Sequence, residues 1–280
     1  MRLFGEIMKR VFVNCGSWRP CQVDWCAAMA RVQVEERERI NKFSFQSDAK
    51  SALVGRLLLR AAVVQKEGVR NRDVLFGRSG RGKPELLRPA DTSININISH
   101  HGNHAVVAME IGRDVGVDVM KLDTPRGQNI EEFFRTMCRN FTEGEWSHIL
   151  APPTHQQQLA AFYRFWCLKE SFIKAEGSGL SYGLQRLEFS PDPMWPPSHP
   201  TCCSGSVLAI DRQRVSDWRF EESLIDKEHC VSVAVRGCRG DEATPTFSEV
   251  GVSDLLSRLG PLTSEDHTHW TNFVSIYRQK

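Results

Sequence analysis

The chain has 280 residues, of which 41% are hydrophobic and 25% are charged, and its formal net charge is +2 at pH 7. This length and composition are ordinary for a soluble globular protein with one large domain or two smaller ones. The small net charge does not indicate a polyanionic partner, although residues 50–90 are basic, with ten Lys and Arg against three acidic residues.

The cysteines and the apolar runs indicate the cellular compartment in which such a protein is expected. The nine cysteines are scattered, and no CxxC pair occurs, so neither a disulfide framework nor a zinc site is expected. The first residues, MRLFGEIMKRVFVN, mix charges into an apolar segment and lack the core of a signal peptide. No apolar run approaches the roughly 18 residues of a membrane span. These features predict a reduced, soluble protein of the cytosol that does not bind membranes.

The first half of the chain alternates strand and helix patterns. The segment RVFVN at 10–14 is typical of a strand, residues 21–43 of one or two helical pieces, and residues 47–68 of a longer helix that ends at a glycine. The segment GRSGRGKP at 77–84 has three glycines, a proline and three cations, which predicts a loop. The runs SININIS, HAVVAMEI and DVGVDVMKL then predict an antiparallel meander.

The second half repeats this order of helices followed by strands. Thr142 and Glu145 in FTEGEW match a capping box, and a long helix is expected from near residue 155. The segments LQRLEF, SVLAI, DWRFEES and HCVSVAVR are typical of strands, and a proline-rich loop occupies 190–206. Because the order of helices and antiparallel strands occurs twice, the sequence predicts an α+β fold with two halves.

The predicted domains are residues 1–115, which contain the basic loop, and residues 116–240, which contain the long second-half helix. Residues 241–280 form a weakly patterned C-terminal extension that is expected to cover the surface. Its apolar residues that can dock are Leu255, Leu256 and Trp270.

The helix around FWCLKESFIKAEG carries charges at the edge of an apolar face. At about 100° per residue, Phe162, Trp166 and Ile173 share one face, and Glu170 and Lys174 lie one turn apart along its border. On spacing alone, the simplest interpretation is an i,i+4 ion pair that contributes a few tenths of a kcal/mol. The alternative is a functional site at the border between core and cleft.

A second carboxylate lies in the apolar run VGVDVMKL. If Val117 and Val119 share one face of a strand, Asp118 points to the other. A solvated strand carboxylate is the simpler interpretation, whereas burial against a helix would require a partner. Asp118 together with Glu170 would form an oxygen-rich Mg²⁺ site, whose remaining ligands would be waters and substrate phosphates.

The basic loop and the segment NISHHG suggest a phosphate ligand. Arg78, Arg81 and Lys83 surround glycines that allow close approach of a ligand, but the loop is not a Walker motif, because Pro84 follows the lysine. A mobile basic loop without a ligand is equally compatible with this pattern.

In NISHHG, Ser99 and His100 follow a strand, and histidine donates well to phosphate. A Ser/His hydrolase is disfavoured because no GxSxG elbow occurs. Arg39 in EERERI is by itself an ordinary surface arginine. Together these groups describe an Mg²⁺-held diphosphate flanked by cations.

The motifs resemble those of a known enzyme family. VGVDVM, followed some fifty residues later by WCLKESFIKAEG, resembles the paired signature of the 4′-phosphopantetheinyl transferases, G-[IV]-D and W-x-x-K-E-[AS]-x-x-K. The segments CGSWRP, GRGKP, NISHHG and those flanking the two motifs are similar to animal members of this family, over residues 12–236.

The resemblance implies a fold and an activity. The expected fold has two fused pseudo-symmetric α+β halves, each with helices packed on an antiparallel sheet, and coenzyme A bound in the cleft between them. The expected reaction transfers the phosphopantetheine arm of coenzyme A to a serine of an apo acyl or peptidyl carrier protein. It requires Mg²⁺ and releases adenosine 3′,5′-bisphosphate.

The resemblance also implies residue roles. Asp118 and Glu170 match the magnesium ligands, Lys174 matches the lysine that contacts the diphosphate, and all three are expected to be catalytic. Glu170 is also the family's candidate base for the carrier serine, although a carboxylate on Mg²⁺ has lowered basicity. Coenzyme A is expected to contact Lys174 and Arg39, Arg78, Ser79, Gly80, Arg81, Gly82, Lys83, Asn97, Ile98, Ser99 and His100.

Three positions have no assigned role or depart from the family pattern. Met120 stands where many bacterial relatives have a second acid, so a water is expected to complete the magnesium shell there. His101 stands where animal members usually have glutamine. Lys169 belongs to the motif, but the residues alone predict only a snorkelling side chain at the rim of a cleft.

The expected partners are coenzyme A and apo carrier domains of the fatty acid synthase and aminoadipate-semialdehyde dehydrogenase types, with no nucleic acid, and a monomer is expected. The residues leave two alternatives. A coenzyme A or nucleotide sensor without turnover is disfavoured by the intact set of Asp118, Glu170 and Lys174. A nucleic-acid binder that uses residues 50–90 is disfavoured by the low net charge.

Overall fold

The chain divides into two compact units. In the computed structural model, the described residues are 8–80, 82–124, 128–196, 201–238 and 242–276. One unit is Gly112–Phe247, and the other combines Met1–Ile111 with Ser248–Lys280. Each unit contains helices and mainly antiparallel strands, which confirms the predicted α+β class. The predicted domain boundaries stay a prediction.

The secondary structure alternates strands and helices along the chain. The strands are β1 (Arg10–Asn14), β2 (Leu75–Arg78), β3 (Pro84–Arg88), β4 (Ile94–His101), β5 (His104–Ile111), β6 (Val115–Lys121), β7 (Leu187–Ser190), β8 (Val207–Ile210), β9 (Gln213–Arg214), β10 (Trp218–Asp226), β11 (His229–Arg236) and β12 (Ser248–Glu249). The helices are α1 (Gln22–Met29), α2 (Val34–Ile40), α3 (Gln46–Glu67), α4 (Ile130–Met137), α5 (Glu143–Leu150), α6 (His155–Glu176), α7 (Val252–Arg258) and α8 (Thr268–Ser275). Within the described part of the chain, the helices are too short or too polar to cross a membrane.

The first unit is built on a sheet with the order β12–β1–β5–β4. β5 is antiparallel to both of its neighbours, and β12 pairs with β1 in parallel. α3 packs on β4 and β5, and its residues Leu53, Leu57 and Leu58 are buried in the core. The helix ends at Gly68 with φ of 65°, a left-handed conformation that glycine adopts without strain. The predicted end of this helix is therefore confirmed.

The last chain segment packs into the core of the first unit. Leu255 is buried there, Leu256 and Trp270 pack against the same core, and the ring of Phe273 stacks on Trp25 with 3.9 Å between centroids. The docking expected of the apolar residues is therefore confirmed, and the segment does more than cover the surface.

The second unit is built on a sheet with the order β10–β11–β6, in which β11 is antiparallel to both neighbours. β7, β8 and β9 form a second, smaller antiparallel sheet. The predicted meander is wrong in its third strand, because β4 pairs with β5 whereas β6 pairs with β11. Short polar turns in the sequence report where the chain reverses, but pairing with β11 depends on a segment far along the chain.

The helix α6 positions the charged residues of the second unit. The Thr154 hydroxyl caps its start by accepting from the backbone N–H of Gln157, and Gly177 ends it with φ of 77°. Buried apolar residues such as Phe162, Leu168 and Phe172 lie along its inner face. α6 packs on β6 and β11, so its inner face fills the core of the unit.

A glycine in β6 permits close contact between strand and helix. A Cβ atom built on Gly116 would overlap the backbone carbonyl of Ser171 and the backbone N–H of Ala175, and would lie 3.0 Å from the Ala175 Cα. The Ser171 hydroxyl lies 3.2 Å from the hydroxyl of Ser232 on β11, so small side chains continue this contact across the sheet. The glycine of the G-[IV]-D motif is therefore required by packing.

Lys169 is buried rather than snorkelling at a rim, and this expectation is wrong. Its side chain is 0% exposed, and its Nζ lies 2.6 Å from Oε2 of Glu145, which is equally buried. The same ammonium donates to the backbone carbonyls of Asn140, Leu184 and Leu187 at 2.8–3.0 Å. A buried ammonium with one carboxylate and three carbonyl acceptors is well satisfied, so Lys169 is a structural residue.

Glu145 joins this ion pair to the predicted capping box. The Glu145 carboxylate accepts from the backbone N–H of Thr142 and of Phe189, each at 2.9 Å. In return, the Thr142 hydroxyl accepts from the backbone N–H of Glu145. The capping box is therefore confirmed. Burial raises the pKa of Glu145 and lowers the pKa of Lys169, while each charge stabilises the other.

We expect the substitution Gly116→Ala to destabilise the protein by about 1–3 kcal/mol, because a side chain there overlaps the helix backbone. Urea unfolding followed by tryptophan fluorescence measures this change. Gly260→Ala is the matched control, since open space surrounds that position. Unfolding of Gly116→Ala at the wild-type urea concentration would show that the helix does not depend on this glycine.

We also expect Lys169→Met to cost roughly 3–5 kcal/mol, because it leaves the Glu145 carboxylate buried without a counter-ion. Adding Glu145→Gln should return part of this loss, since the double variant buries no charge. A double-mutant cycle measured by urea unfolding should therefore give a coupling of about 0.5–3 kcal/mol. Additive losses would contradict the proposed pairing.

Candidate active site

Asp118 is a buried carboxylate on the helix-facing side of β6. It is 5% exposed and lies opposite Ser232 of β11. Gly116 and Asp118 both contact α6, so the buried Val117 and Val119 point to the opposite face of the strand, as the alternation predicts. Asp118 is therefore not a solvated strand carboxylate, and its burial requires partners.

Lys174 of α6 is one partner of Asp118. Its Nζ lies 2.6 Å from the Asp118 Oδ1 and donates to the backbone carbonyl of Val117 at 3.2 Å. The side chain of Lys174 is 28% exposed, so part of it is accessible to solvent. This ion pair therefore joins α6 to β6. Spacing alone suggested an ion pair between Glu170 and Lys174 on the surface of α6.

Glu170 completes this group one helical turn before Lys174. Its side chain is half-buried, and among the described residues its buried Oε1 has no hydrogen-bond partner. Burial raises the pKa of Glu170, the charge of Asp118 raises it further, and Lys174 acts in the opposite direction. The ionised carboxylate is therefore electrostatically under-compensated, and a further cation would stabilise it.

The donor set fits a hard divalent cation. Mg²⁺ prefers oxygen ligands and commonly takes one or two carboxylates, with waters and substrate phosphates as its other ligands. Asp118 and Glu170 supply two carboxylates, and the buried Oε1 of Glu170 receives no hydrogen bond from the part of the chain that the structure describes. Met120 follows two positions later on β6 and packs against the apolar core, so it adds no oxygen ligand.

In the first unit, two predicted coenzyme A contacts meet at one carboxylate. Arg78 at the end of β2 contacts both oxygens of Glu36 at 2.7 and 2.9 Å, and Arg39 approaches the same carboxylate at 3.8 Å. Arg56 of α3 contacts it at 3.1 Å. Three arginines around one carboxylate make this surface of the first unit strongly cationic, which suits a phosphate ligand.

The predicted basic loop is a closed β-hairpin turn between β2 and β3. The backbone N–H of Ser79 donates to the carbonyl of Lys83 at 2.9 Å, and that of Gly82 donates to the carbonyl of Ser79 at 2.8 Å. Arg78 also donates to the Gly82 carbonyl at 2.9 Å, and Gly82 has φ of 80°. These bonds close the turn around Gly80, which has open space beside it. Arg81 lies outside the described residues.

The predicted contacts on β4 divide between the two faces of the strand. Asn97 and Ser99 are buried on one face, whereas Ile98 and the exposed His100 alternate with them on the other. A Cβ atom on Gly55 of α3 would lie 2.6 Å from the Ile98 Cδ1, so the Ile98 side chain packs against α3. The side chains of these four residues therefore do not all lie on the same face of β4.

The sequence did not predict Glu36 or Arg56. Glu36 precedes Arg39 by three residues on α2, a spacing that indicates a helical ion pair, but this spacing does not reveal a carboxylate shared by three arginines. Arg56 lies in an amphipathic helix, where a cation is ordinary.

The structure brings the predicted charged residues together in two groups. The second unit holds Asp118, Glu170 and Lys174, and the first unit holds Arg39 and Arg78.

The sequence of this chain matches known proteins along most of its length. The N-terminal 4′-phosphopantetheinyl transferase family model matches residues 16–112, and the 4′-phosphopantetheinyl transferase superfamily model matches residues 114–234. The latter range contains Asp118, Glu170 and Lys174.

Individual relatives agree with these matches. L-aminoadipate-semialdehyde dehydrogenase-phosphopantetheinyl transferase of Xenopus laevis is 40% identical over 278 residues, which cover 94% of this chain and 90% of that protein. The protein of the same name from Homo sapiens is 39% identical over 280 residues, with coverages of 93% and 89%. The 4′-phosphopantetheinyl transferase of Bacillus subtilis is 35% identical over 156 residues, with coverages of 56% and 65%. Since the family models and the animal relatives both span most of its length, this chain belongs to the 4′-phosphopantetheinyl transferase superfamily.

Proposed function

We propose that this enzyme transfers the 4′-phosphopantetheine arm of coenzyme A to a serine hydroxyl of apo carrier proteins, in an Mg²⁺-dependent reaction that releases adenosine 3′,5′-bisphosphate. The observation that carries the proposal is the under-compensated Glu170 carboxylate beside Asp118 and Lys174. A site with two carboxylates and a partly exposed lysine suits a metal-held diphosphate.

In the proposed reaction, the serine oxygen forms a bond to the phosphorus that carries the pantetheine arm. The bond from this phosphorus to the bridging oxygen of the diphosphate breaks, and adenosine bisphosphate leaves with that electron pair. Mg²⁺ bound by Asp118 and Glu170 would neutralise charge on the diphosphate.

The chain's own residues supply the other functions in this proposal. Lys174 is held in place by Asp118 and by the carbonyl of Val117, and its ammonium donates to the charge that develops on the leaving bisphosphate. Glu170 accepts the serine proton directly or through a water, although coordination to Mg²⁺ lowers the basicity of this carboxylate. Arg39 and Arg78 bind phosphate groups of coenzyme A through bidentate, charge-assisted hydrogen bonds.

The finer expectations belong to the same proposal. They are pseudo-symmetric halves with coenzyme A in the cleft between them, a monomer, and a cytosolic location. The animal relatives are named after L-aminoadipate-semialdehyde dehydrogenase, so the proposed acceptors include a carrier domain of that type. Carrier domains of the fatty acid synthase type are the second proposed class of acceptor.

The proposal is tested with an apo carrier protein, coenzyme A and Mg²⁺. We expect the carrier mass to increase by about 340 Da, the size of the transferred arm in this phosphoryl-transfer reaction. Glu170→Gln should lower the transfer rate by roughly 10²–10³-fold, the effect typical of losing one electrostatic group at a reacting centre. Intact-protein mass spectrometry at timed intervals measures both quantities.

Glu176→Gln is the matched control, because Glu176 lies on the same helix and is exposed, so this variant should transfer at the wild-type rate. No mass increase with the wild-type enzyme would overturn the proposed reaction. Transfer by Glu170→Gln at the wild-type rate would overturn the proposed role of this carboxylate.

A further inference from the structure

The arginine cluster of the first unit has an inner and an outer layer. Glu36 and Arg56 form the inner layer, with side chains that are each 12% exposed. Arg39 and Arg78 form the outer layer, with side chains that are 48% and 31% exposed. The outer guanidinium groups are therefore accessible to a ligand, whereas the carboxylate behind them is largely shielded.

Glu36 contacts both outer arginines, each of which has another contact as well: Arg78 donates to the Gly82 carbonyl, and Arg39 lies over the ring of Phe43. Glu36 accepts two hydrogen bonds from Arg78 at 2.7 and 2.9 Å, and it attracts Arg39 at 3.8 Å. Without this carboxylate, the like charges of Arg39 and Arg78 would repel each other and their long side chains would spread over many rotamers. The carboxylate thus compensates their repulsion and reduces the entropy that a ligand must remove on binding.

Arg56 balances Glu36 from the interior. Its Nε lies 3.1 Å from Oε2 of Glu36, and within the described residues its buried Nη1 has no hydrogen-bond partner. Burial lowers the pKa of Arg56 to about 10, while the charge of Glu36 acts in the opposite direction. Arg56 therefore remains charged near neutral pH, and the inner pair is neutral behind two outer cations.

We propose that Glu36 is a positioning residue for phosphate binding: it holds the guanidinium groups of Arg39 and Arg78 side by side, so that both bind one phosphate group of coenzyme A. Arg56 is the buried counter-ion of the Glu36 carboxylate. This inference rests on the proposed function, because it takes coenzyme A as the ligand.

The positioning role and a simple count of charges predict opposite changes in the affinity for coenzyme A. Glu36→Gln removes a negative charge beside a phosphate site, so the electrostatic field alone predicts tighter binding of coenzyme A. If Glu36 acts by positioning, the same substitution releases Arg78 and Arg39, and the affinity falls. The amide also turns a donor toward guanidinium groups that can only donate, which disfavours the original geometry.

We expect Glu36→Gln to weaken coenzyme A binding about tenfold, as for the loss of hydrogen bonds to a charged group. Calorimetric titration of the folded protein with coenzyme A gives the dissociation constant. In the transfer assay, the KM for coenzyme A should rise by a similar factor, whereas kcat and the KM for the carrier should not change. A general structural defect would change these quantities together.

Glu38→Gln is the matched control, because Glu38 lies on the same helix and is exposed. Its coenzyme A affinity should equal that of the wild type, or rise slightly because a negative charge is lost. Glu36→Asp keeps the charge and should retain more affinity than Glu36→Gln. If Glu36→Gln does not fold, Glu36→Asp carries the test, since its shorter side chain withdraws the carboxylate from Arg78.

The outcomes separate this inference from the proposed function. If the wild type neither binds coenzyme A nor modifies a carrier, the proposed function fails. If the wild type does both, but Glu36→Gln binds coenzyme A as tightly as the wild type or more tightly, the positioning role of Glu36 is overturned. Equal affinities of Glu36→Asp and the wild type would overturn it where Glu36→Gln cannot be prepared.

Discussion

The close contact of α6 with β6 is the constraint on which the candidate active site depends. Gly116 allows the strand to approach the helix backbone at Ser171 and Ala175, and Asp118, two residues later, faces the same helix. This proximity brings the strand carboxylate to Lys174 and into the electrostatic range of Glu170. The glycine of one motif and the charged residues of the other are therefore parts of one packing arrangement, and a larger residue at 116 would separate the carboxylates.

The W-x-x-K-E-S-x-x-K segment divides its residues between structure and chemistry. Lys169 turns inward and is held by Glu145, the same residue that caps α5, so it connects two helices of the second unit. Ser171 provides a small side chain where α6 meets the sheet. Among the charged residues of the motif, Glu170 and Lys174 are partly exposed, where a ligand can reach them. A lysine can thus belong to a motif because it stabilises the helix that carries the site, while its own side chain is fully buried.

Local signals in the sequence predicted much of this fold, and long-range contacts account for what they missed. The capping box at Thr142, the helix end at Gly68 and the alternation around Asp118 depend on neighbouring residues, and each is confirmed. The pairing of β6 with β11 and the burial of Lys169 depend on segments far apart in the chain, which periodicity does not reveal. The shared contacts of Glu36 were missed for the same reason, because its spacing indicates only a pair within α2.

In the proposed site, Asp118 and Glu170 hold a divalent cation that coenzyme A then shares. Such a site makes the two ligands mutually stabilising, so magnesium must raise the affinity for coenzyme A, and this coupling must require the carboxylates. The direct test is calorimetric titration of coenzyme A into the wild type and Glu170→Gln, each with and without Mg²⁺. We expect Mg²⁺ to tighten binding to the wild type and to leave the affinity of Glu170→Gln unchanged, because the proposed site requires both carboxylates. An equal tightening in both proteins would contradict the proposed site.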